Sequence, residues 1–301
     1  MGVLLQVSDA HFGTEVPAVV DALVRFAKKL APDVLLLSGD ITQRARRAQF
    51  DAAQRFVARC KVARCVAIPG NHDIPLFNVV GRAFQPYHGF CRAFGPRLEQ
   101  VVELRDMLLV LLNTTRPWRH KDGEVSQRQI DDACLKLRAA SSKALRIVVT
   151  HQPVHAIRES DETNLLHGRE RAVPAWAEAG ADLVLAGHIH LPYVRPLSER
   201  YRGLAREIWM ANAGTAVSSR TRSRNRPSSV KLPTWASRLT PSITNTADER
   251  APTDDSCSMV ARAFGAATRT AQAARTNRAF MARMLIRQVG GMSVTARRAV
   301  L

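Results

Sequence analysis

The chain has 301 residues, 46% of them hydrophobic, which is enough to bury a sizeable core in one large domain or two smaller ones. The longest apolar runs, such as residues 107–112, are too short to cross a bilayer, so we expect no membrane association. The first nine residues lack a basic segment and already contain a charge, so we expect no secretory signal. The five cysteines form no Cys-x-x-Cys pair, which predicts free thiols and a cytoplasmic location.

The formal net charge of +18 is concentrated near the C-terminal end. Residues 221–301 hold 14 Lys and Arg against 4 Asp and Glu, a net of +10. A strong positive field attracts phosphate-bearing partners, nucleic acid among them. We favour the simpler interpretation that this segment is rich in Arg without a dedicated partner.

Strands and helices alternate in the first 70 residues. Aliphatic runs predict strands at 3–7, 34–37 and 65–68. Apolar residues at helical spacing predict helices at 16–30 and 44–60, the second with Ala45, Ala48, Ala52, Phe56 and Cys60 along its stripe. This order predicts a parallel sheet with right-handed crossovers.

The pattern changes after residue 100. Runs at 100–104 and 107–112 predict an antiparallel hairpin, and Ser126-Gln127-Arg128-Gln129 predicts a capping box that begins a helix ending near residue 140. Further strands are predicted at 146–150, 182–186 and 208–211, with a helix at 169–178. Together these elements predict a four-layer α/β/β/α sandwich, in which two mixed sheets stack face to face and the helices lie outside.

We predict a catalytic domain over residues 1–222 and a basic tail of low order over residues 223–301. The tail is rich in Ala, Arg, Ser and Thr, and prolines interrupt its early part, so it has little to bury. Residues 259–289 have the composition of a basic helix. The abrupt change in composition also suggests a second hypothesis, that the coding sequence has slipped frame.

Polar side chains follow five of the predicted strands. Asp9, Asp40 and Asn71 are spaced 31 residues apart, about the length of one strand and its crossover, which places them along one sheet edge. His188 and His190 lie one residue apart, so in extended backbone both side chains point to the same side. The full set of candidate ligands is Asp9, His11, Asp40, Asn71, His151, His188 and His190.

Seven ligands are too many for one divalent cation with open positions. They suit two cations that share a bridging carboxylate. Taken singly, each Asp could be a helix cap and each His a solvated loop residue. Their order and their common position at strand ends favour the metal site.

These motifs resemble the signatures of calcineurin-like metallophosphoesterases, and the resemblance covers residues 1 to about 222. It is strongest to the bacterial subgroup that includes cyclic-nucleotide phosphodiesterases. The matching segments are Asp9-x-His11, Gly39-Asp40, Gly70-Asn71-His72-Asp73, His151 and Gly187-His188-x-His190.

The resemblance implies a role for each residue. The first cation would be held by Asp9, His11, Asp40 and His190, and the second by Asp40, Asn71, His151 and His188. His72 would face the substrate as a general acid, with Asp73 orienting it. Manganese, iron and zinc all accept such a nitrogen and oxygen donor set.

The resemblance also implies hydrolysis of phosphoester bonds by a hydroxide shared between the two cations. The leading hypothesis is a small-molecule phosphodiesterase, with cyclic nucleotides as the first candidates. One alternative is a DNA nuclease that uses the basic tail, and another is a metal-bound scaffold without catalysis. The presence of His72 argues against the scaffold.

A loop at residues 118–121 has two interpretations. Its side chains, Trp118, Arg119, His120 and Lys121, could contact substrate, with Arg119 or Lys121 meeting a phosphate. A solvated loop is the simpler interpretation, and we favour it.

Overall fold

The structure is a computed structural model that describes residues 2–104 and 106–219 and the backbone of 284–289 and 292–297. The helices within these ranges are α1 (Pro17–Leu30), α2 (Arg47–Cys60), α3 (Val79–Phe84), α4 (His88–Phe94), α5 (Gln127–Ala139) and α6 (Arg169–Glu178). The strands are β1 (Val3–Val7), β2 (Val34–Ser38), β3 (Cys65–Ile68), β4 (Gln100–Leu104), β5 (Met107–Leu111), β6 (Leu145–Val149), β7 (Leu183–Ala186), β8 (Tyr193–Pro196), β9 (Trp209–Asn212), β10 (Met284–Val289) and β11 (Met292–Arg297). Short 3₁₀ helices cover Asn71–Asp73, Glu159–Asn164 and Leu197–Glu199.

The strands form two mixed sheets. The first has the order β10-β11-β1-β2-β3, and its β1, β2 and β3 are parallel, as the sequence predicts. The second has the order β4-β5-β6-β7-β9-β8, with parallel β5, β6, β7 and β9 between two antiparallel edge strands. The predicted hairpin of β4 and β5 is confirmed.

Alternating side chains of the strands build two of the three apolar layers. Leu5 and Leu35 pack with α1, α2 and α4 on one face of the first sheet. Leu4 and Leu36 point the other way and pack against the second sheet. The far face of the second sheet packs against α5 and α6, with Trp176 fully buried there. This arrangement confirms the predicted α/β/β/α sandwich.

Helix α2 begins three residues later than predicted. Ala45 has left-handed backbone with φ of 53°, which a right-handed helix does not accommodate. The predicted stripe is correct at Phe56 and Cys60, whereas Ala48 is exposed and Ala52 is half-buried. The buried residues of α2 are Phe50, Ala53, Phe56 and Cys60.

Two strands come from the predicted tail. β10 pairs with β11, and β11 pairs antiparallel with β1, with Leu5 opposite Val294. Residues 284–289 are thus a strand where the sequence composition predicts a helix, because they pair with β11, which joins this hairpin to the edge of the first sheet at β1. The rest of the predicted helix lies outside the described residues, and the domain boundary at residue 222 stays a prediction.

In the part of the chain that the structure describes, no helix has both the length and the apolarity needed to cross a bilayer. Cys60, Cys65, Cys91 and Cys134 are free thiols, as predicted, and Cys257 lies outside the described residues. The predicted cytoplasmic location stays a prediction.

Candidate metal centre

Five strands of the two sheets end at one place. Asp9 and His11 follow β1, Asp40 follows β2 and Asn71 follows β3. The second sheet adds residues that follow β6 and β7, which are His151, His188 and His190. The main-chain N–H of His188 donates to the Asp9 carboxylate, and this hydrogen bond joins the loop after β7 in the second sheet to the loop after β1 in the first.

The side chains fall into two groups that share Asp40. The first group is Asp9, His11, Asp40 and His190, and the second is Asp40, His151 and His188. Within each group the potential ligand atoms lie within 4.8 Å of one another. Nε2 of His190 is 3.3 Å from Asp9 Oδ1, and Nε2 of His151 is 3.3 Å from Asp40 Oδ1. The predicted clustering of these six residues is therefore observed.

Two histidines of the centre are held neutral. Burial lowers the pKa of His188 to about 3, and the nearby charge of His151 acts in the same direction. Burial also lowers the pKa of His11 to about 4, against the opposing effect of Asp40 and Asp9. A neutral imidazole keeps a nitrogen lone pair that a divalent cation can bind.

Charge pairing outweighs burial at Asp9 and His151. Burial alone would raise the pKa of Asp9, but its hydrogen bond and attraction to His190 lower that pKa to about 2. Burial alone would lower the pKa of His151, but the charge of Asp40 and a hydrogen bond to it raise that pKa to about 9. The Asp9 carboxylate is thus ionised and available as a ligand, whereas His151 would release its proton on binding a cation.

The loops that carry the candidate ligands have unusual backbone conformations. Non-glycine residues rarely adopt a positive φ, because the Cβ meets the neighbouring carbonyl. The candidate ligands with this conformation are Asp9 (φ 51°), His11 (46°), Asp40 (48°), His188 (69°) and His190 (56°). Such backbone persists only where the surrounding structure enforces it, and it is concentrated at functional sites.

Glycines let the loops of the two sheets approach each other. A Cβ on Gly187 would overlap Ser8 Oγ and Asp9 Oδ2, and a Cβ on Gly70 would overlap the main-chain nitrogen of Asp40. Both positions therefore require glycine for the candidate ligands to converge.

Hydrogen bonds outside the two groups orient their members. Ser8 Oγ donates to Asp9 Oδ2 at 2.6 Å. Nδ1 of His151 donates to the Ser38 carbonyl at 3.0 Å, which directs Nε2 of that ring towards Asp40. Such partners of candidate ligands fix ring orientation and raise ligand basicity.

The donor set fits a pair of divalent cations. Nε2 of His11 and Nε2 of His190 lie only 3.0 Å apart, a distance that requires a shared proton or cation between two nitrogen lone pairs. The side-chain oxygen of Asn71 and Nδ1 of His188 are buried and have no hydrogen-bond partner among the described residues. Buried polar atoms without partners are costly, and a cation bound by Asn71 would remove that cost.

His72 lies beside the centre, and its ring is oriented by the backbone. Its main-chain N–H donates to Asp40 Oδ1 at 2.8 Å, and its ring meets the His11 ring edge-on, with centroids 4.8 Å apart. Nδ1 of His72 is 2.9 Å from the carbonyl oxygen of Gln43. Because a carbonyl only accepts, Nδ1 carries the hydrogen and Nε2 is the nitrogen left for the cleft.

The structure corrects the predicted role of Asp73. Its carboxylate accepts hydrogen bonds from the main-chain N–H groups of Ile41 (3.1 Å), Thr42 (2.8 Å) and Gly70 (2.9 Å), and none of its hydrogen bonds within the described residues goes to His72. Burial and the charge of Asp40 raise its pKa to about 6, and the backbone bonds oppose this. Through these hydrogen bonds the buried Asp73 carboxylate joins the loop after β2 to the loop after β3.

A cleft of about 490 Å³ opens over the centre. Asp40, Asn71, His72, His188 and His190 form its floor. The loops around it contribute Arg44, Leu76, His120, Lys121 and Asn164.

Of the loop residues that the sequence analysis singled out, Lys121 and His120 reach the cleft. Arg119 instead pairs with Glu124 at 3.0 Å, and Trp118 is exposed outside the lining. Arg44 and Asn164 also line the cleft but were not among the predicted site residues. Arg44 follows a strand end that carries a candidate ligand, which is a usable signal, whereas Asn164 lies in a short 3₁₀ helix without one.

Comparison with known families identifies the chain. Residues 2–192 match the calcineurin-like phosphoesterase family. The chain belongs to the calcineurin-like phosphoesterases. The family predicted from the motifs is therefore confirmed, together with the fold.

Two curated relatives of this phosphoesterase carry the name "probable cyclic nucleotide phosphodiesterase". The protein from Synechococcus is 29% identical over 171 residues, which are 56% of this chain and 62% of the relative. The protein from Rhodococcus erythropolis is 27% identical over 202 residues, which are 62% of this chain and 64% of the relative. The chain thus spans less than two thirds of the length of each of these relatives.

A solved structure shares the fold. A dimetal phosphatase from Danio rerio superposes with a TM-score of 0.55 over 72% of this chain and 88% of that chain, at 14% identity.

Proposed function

We propose that this phosphoesterase hydrolyses phosphodiester bonds of small molecules with two divalent cations, and that cyclic nucleotides are its first substrates to test. One observation carries the proposal: two groups of candidate ligands share Asp40 on the floor of the cleft. The names of the two curated relatives support the choice of cyclic nucleotides.

The residues that would hold the first cation are Asp9, His11, Asp40 and His190. The residues that would hold the second are Asp40, Asn71, His151 and His188. When bound, such a pair of cations supplies a water of lowered pKa and neutralises charge on the phosphoryl oxygens. Manganese, iron and zinc are the candidates, because each accepts neutral imidazole with carboxylate and amide oxygen.

His72 would complete the reaction on the side of the leaving group. Its Nδ1 is fixed by the Gln43 carbonyl, so its Nε2 faces the cleft and, when protonated, can give a proton to the leaving oxygen. General acid catalysis of this kind contributes about 10²–10⁴-fold to a rate. The contact of the His72 N–H with Asp40 keeps the acid next to the shared ligand.

A hydrolysis panel tests the proposal. Cyclic AMP, bis-p-nitrophenyl phosphate, p-nitrophenyl phosphate and single-stranded DNA are each incubated with the protein and with manganese, iron or zinc. We expect turnover of the two small diesters. DNA hydrolysis that falls steeply with salt would instead favour a nuclease, and no turnover with any metal would contradict the proposal.

Metal analysis tests the shared role of Asp40. We expect the purified Asp40→Ala variant to lose both cations, because each group loses its common carboxylate, whereas the wild type holds about two per chain. Asp51→Asn is the matched control, since Asp51 lies on α2 and pairs with Arg92. An Asp40→Ala protein with wild-type metal content would refute the assignment.

A further inference from the structure

We propose that Lys121 and Arg44 bind a second phosphate of the substrate, so that preferred substrates carry a phosphate besides the one that is hydrolysed. This inference rests on the proposed function and narrows its substrate class to diesters that carry a further phosphate, so cyclic AMP, which has a single phosphate, is expected to be hydrolysed less efficiently than such a diester.

The cleft has room for more than one phosphoryl group. Its volume of about 490 Å³ lies in the range of pockets that enclose whole small-molecule ligands. The candidate metal ligands occupy only its floor, and the lining continues onto three loops that contribute Arg44, Lys121 and Asn164. A substrate that fills the cleft therefore extends beyond the candidate metal centre.

Lys121 is held in place at the cleft. Its carbonyl oxygen accepts a hydrogen bond from Gln152 Nε2 at 3.2 Å, and Gln152 is buried next to His151. Its ammonium donates to the side-chain oxygen of Asn164 at 3.3 Å, which is a neutral partner. The charge of Lys121 is therefore directed into the cleft without being neutralised by a carboxylate of the described residues.

Arg44 brings a second positive charge from another loop. Its main-chain N–H donates to Gln49 Oε1 at 2.9 Å, and its guanidinium lies over the ring of Phe77, 5.3 Å from the centroid. Stacking on an aromatic ring orients a guanidinium while leaving its N–H donors free for an anion. Within the described residues Arg44 makes no ion pair.

The charge balance of the cleft favours an additional anionic group. Among the lining residues that the structure describes, Asp40 is the only carboxylate, and it is assigned to the cations. Arg119, two residues before Lys121, is neutralised by Glu124. The metal cations would already neutralise a phosphate at the candidate metal centre. The charges of Lys121 and Arg44, which have no carboxylate partner among the described residues, therefore suit a second phosphate.

Two synthetic esters that differ by one phosphate test the inference. Thymidine 5′-(p-nitrophenyl phosphate) is compared with the same ester carrying a 3′-phosphate, and both release p-nitrophenolate. We expect wild-type kcat/KM to be about 10–100-fold higher with the 3′-phosphate, since charged hydrogen bonds contribute this much. Lys121→Gln and Arg44→Gln are each expected to lower that ratio about tenfold with unchanged metal content.

Lys136→Gln is the matched control, because Lys136 is exposed on α5 and does not line the cleft. Calorimetric titration with thymidine 3′,5′-bisphosphate and thymidine 5′-monophosphate gives a second readout, in which the tighter binding of the bisphosphate is lost in Lys121→Gln. A wild-type ratio near one, or a ratio that survives both substitutions, would overturn the inference. If neither ester is hydrolysed with any metal, the proposed function fails, and the titration still decides about the second phosphate.

Discussion

His72 contacts the candidate centre without belonging to either ligand group, so its proposed role as an acid can be tested separately from metal binding. We expect His72→Ala to keep both cations and to lose about 10²–10⁴-fold in kcat, because the leaving oxygen departs without a proton. Steady-state kinetics combined with metal analysis of the same preparation measure both effects. His88→Ala, an exposed histidine at the start of α4, should change neither. A His72→Ala protein that loses its metal but keeps its turnover would contradict the assignment.

Most of the candidate centre could be predicted from the sequence, because the carboxyl ends of parallel strands meet at one edge. This rule brings Asp9, Asp40 and His188 together without any knowledge of side-chain contacts. It gives no information about the partner of a side chain. The role predicted for Asp73 came from the family resemblance, whereas the Gln43 carbonyl orients the His72 ring. Every residue has a main-chain carbonyl, so the residue types in a sequence do not show which carbonyl a side chain contacts.

The 3₁₀ helix Glu159–Asn164 supports the cleft from one side. Its Asn164 accepts from Lys121, and its Glu162 pairs with Arg200 through two hydrogen bonds of 2.6 and 2.8 Å. This pairing lowers the pKa of Glu162 below its ordinary value of 4.5. The pair therefore stabilises the fold above about pH 4.5, and its contribution is lost as the pH falls through the lowered pKa.

We expect Glu162→Gln to reduce the free energy of unfolding by about 0.5–1 kcal/mol at pH 7, the size typical of a solvent-exposed pair. The difference from wild type should shrink as the pH falls below about 4.5. Urea unfolding of wild type and variant, at pH 7 and at a pH below about 4.5, measures this difference in the free energy of unfolding. Glu159→Gln is a control in the same 3₁₀ helix, since Glu159 is exposed. A difference that is the same at both pH values would rule out the ion pair as its cause.

Elements with a strong apolar pattern or a capping motif were predictable, and elements without such a signal were not. Helix α5 follows from its capping box, since Ser126 Oγ accepts from the Gln129 N–H at 3.2 Å. Strand β8 was not predicted because it is an edge strand, buried only at Tyr193 and ending at Pro196, so it lacks an apolar run. The hairpin of β10 and β11 did have a signal, Gly290-Gly291 between two apolar runs, which the Arg-rich composition of the segment concealed.

At the scale of the whole molecule, the two sheets are joined both by their apolar interface and by the candidate centre. A cation that binds only the folded protein stabilises it by about 2.7 kcal/mol at 100 times its Kd, which corresponds to roughly 5–10 °C in Tm. We expect manganese to raise Tm by this amount and a chelator to reverse it. The far-UV circular dichroism spectrum should not change, because the apolar layers hold the fold. A shift of the same size in Asp40→Ala would show that the ion binds elsewhere.

The candidate ligands Asp9, His11, Asp40, His188 and His190 have left-handed backbone, a conformation that persists only where the surrounding structure enforces it. In loops that are fixed in this way, the directions of the candidate ligands are set by the polypeptide itself and not by one particular metal. Divalent first-row ions that share nitrogen and oxygen donors are then sorted by their intrinsic affinities and by their abundance. We therefore expect the metal content of the purified protein to follow the supply of manganese, iron and zinc in the growth medium, with the fold unchanged.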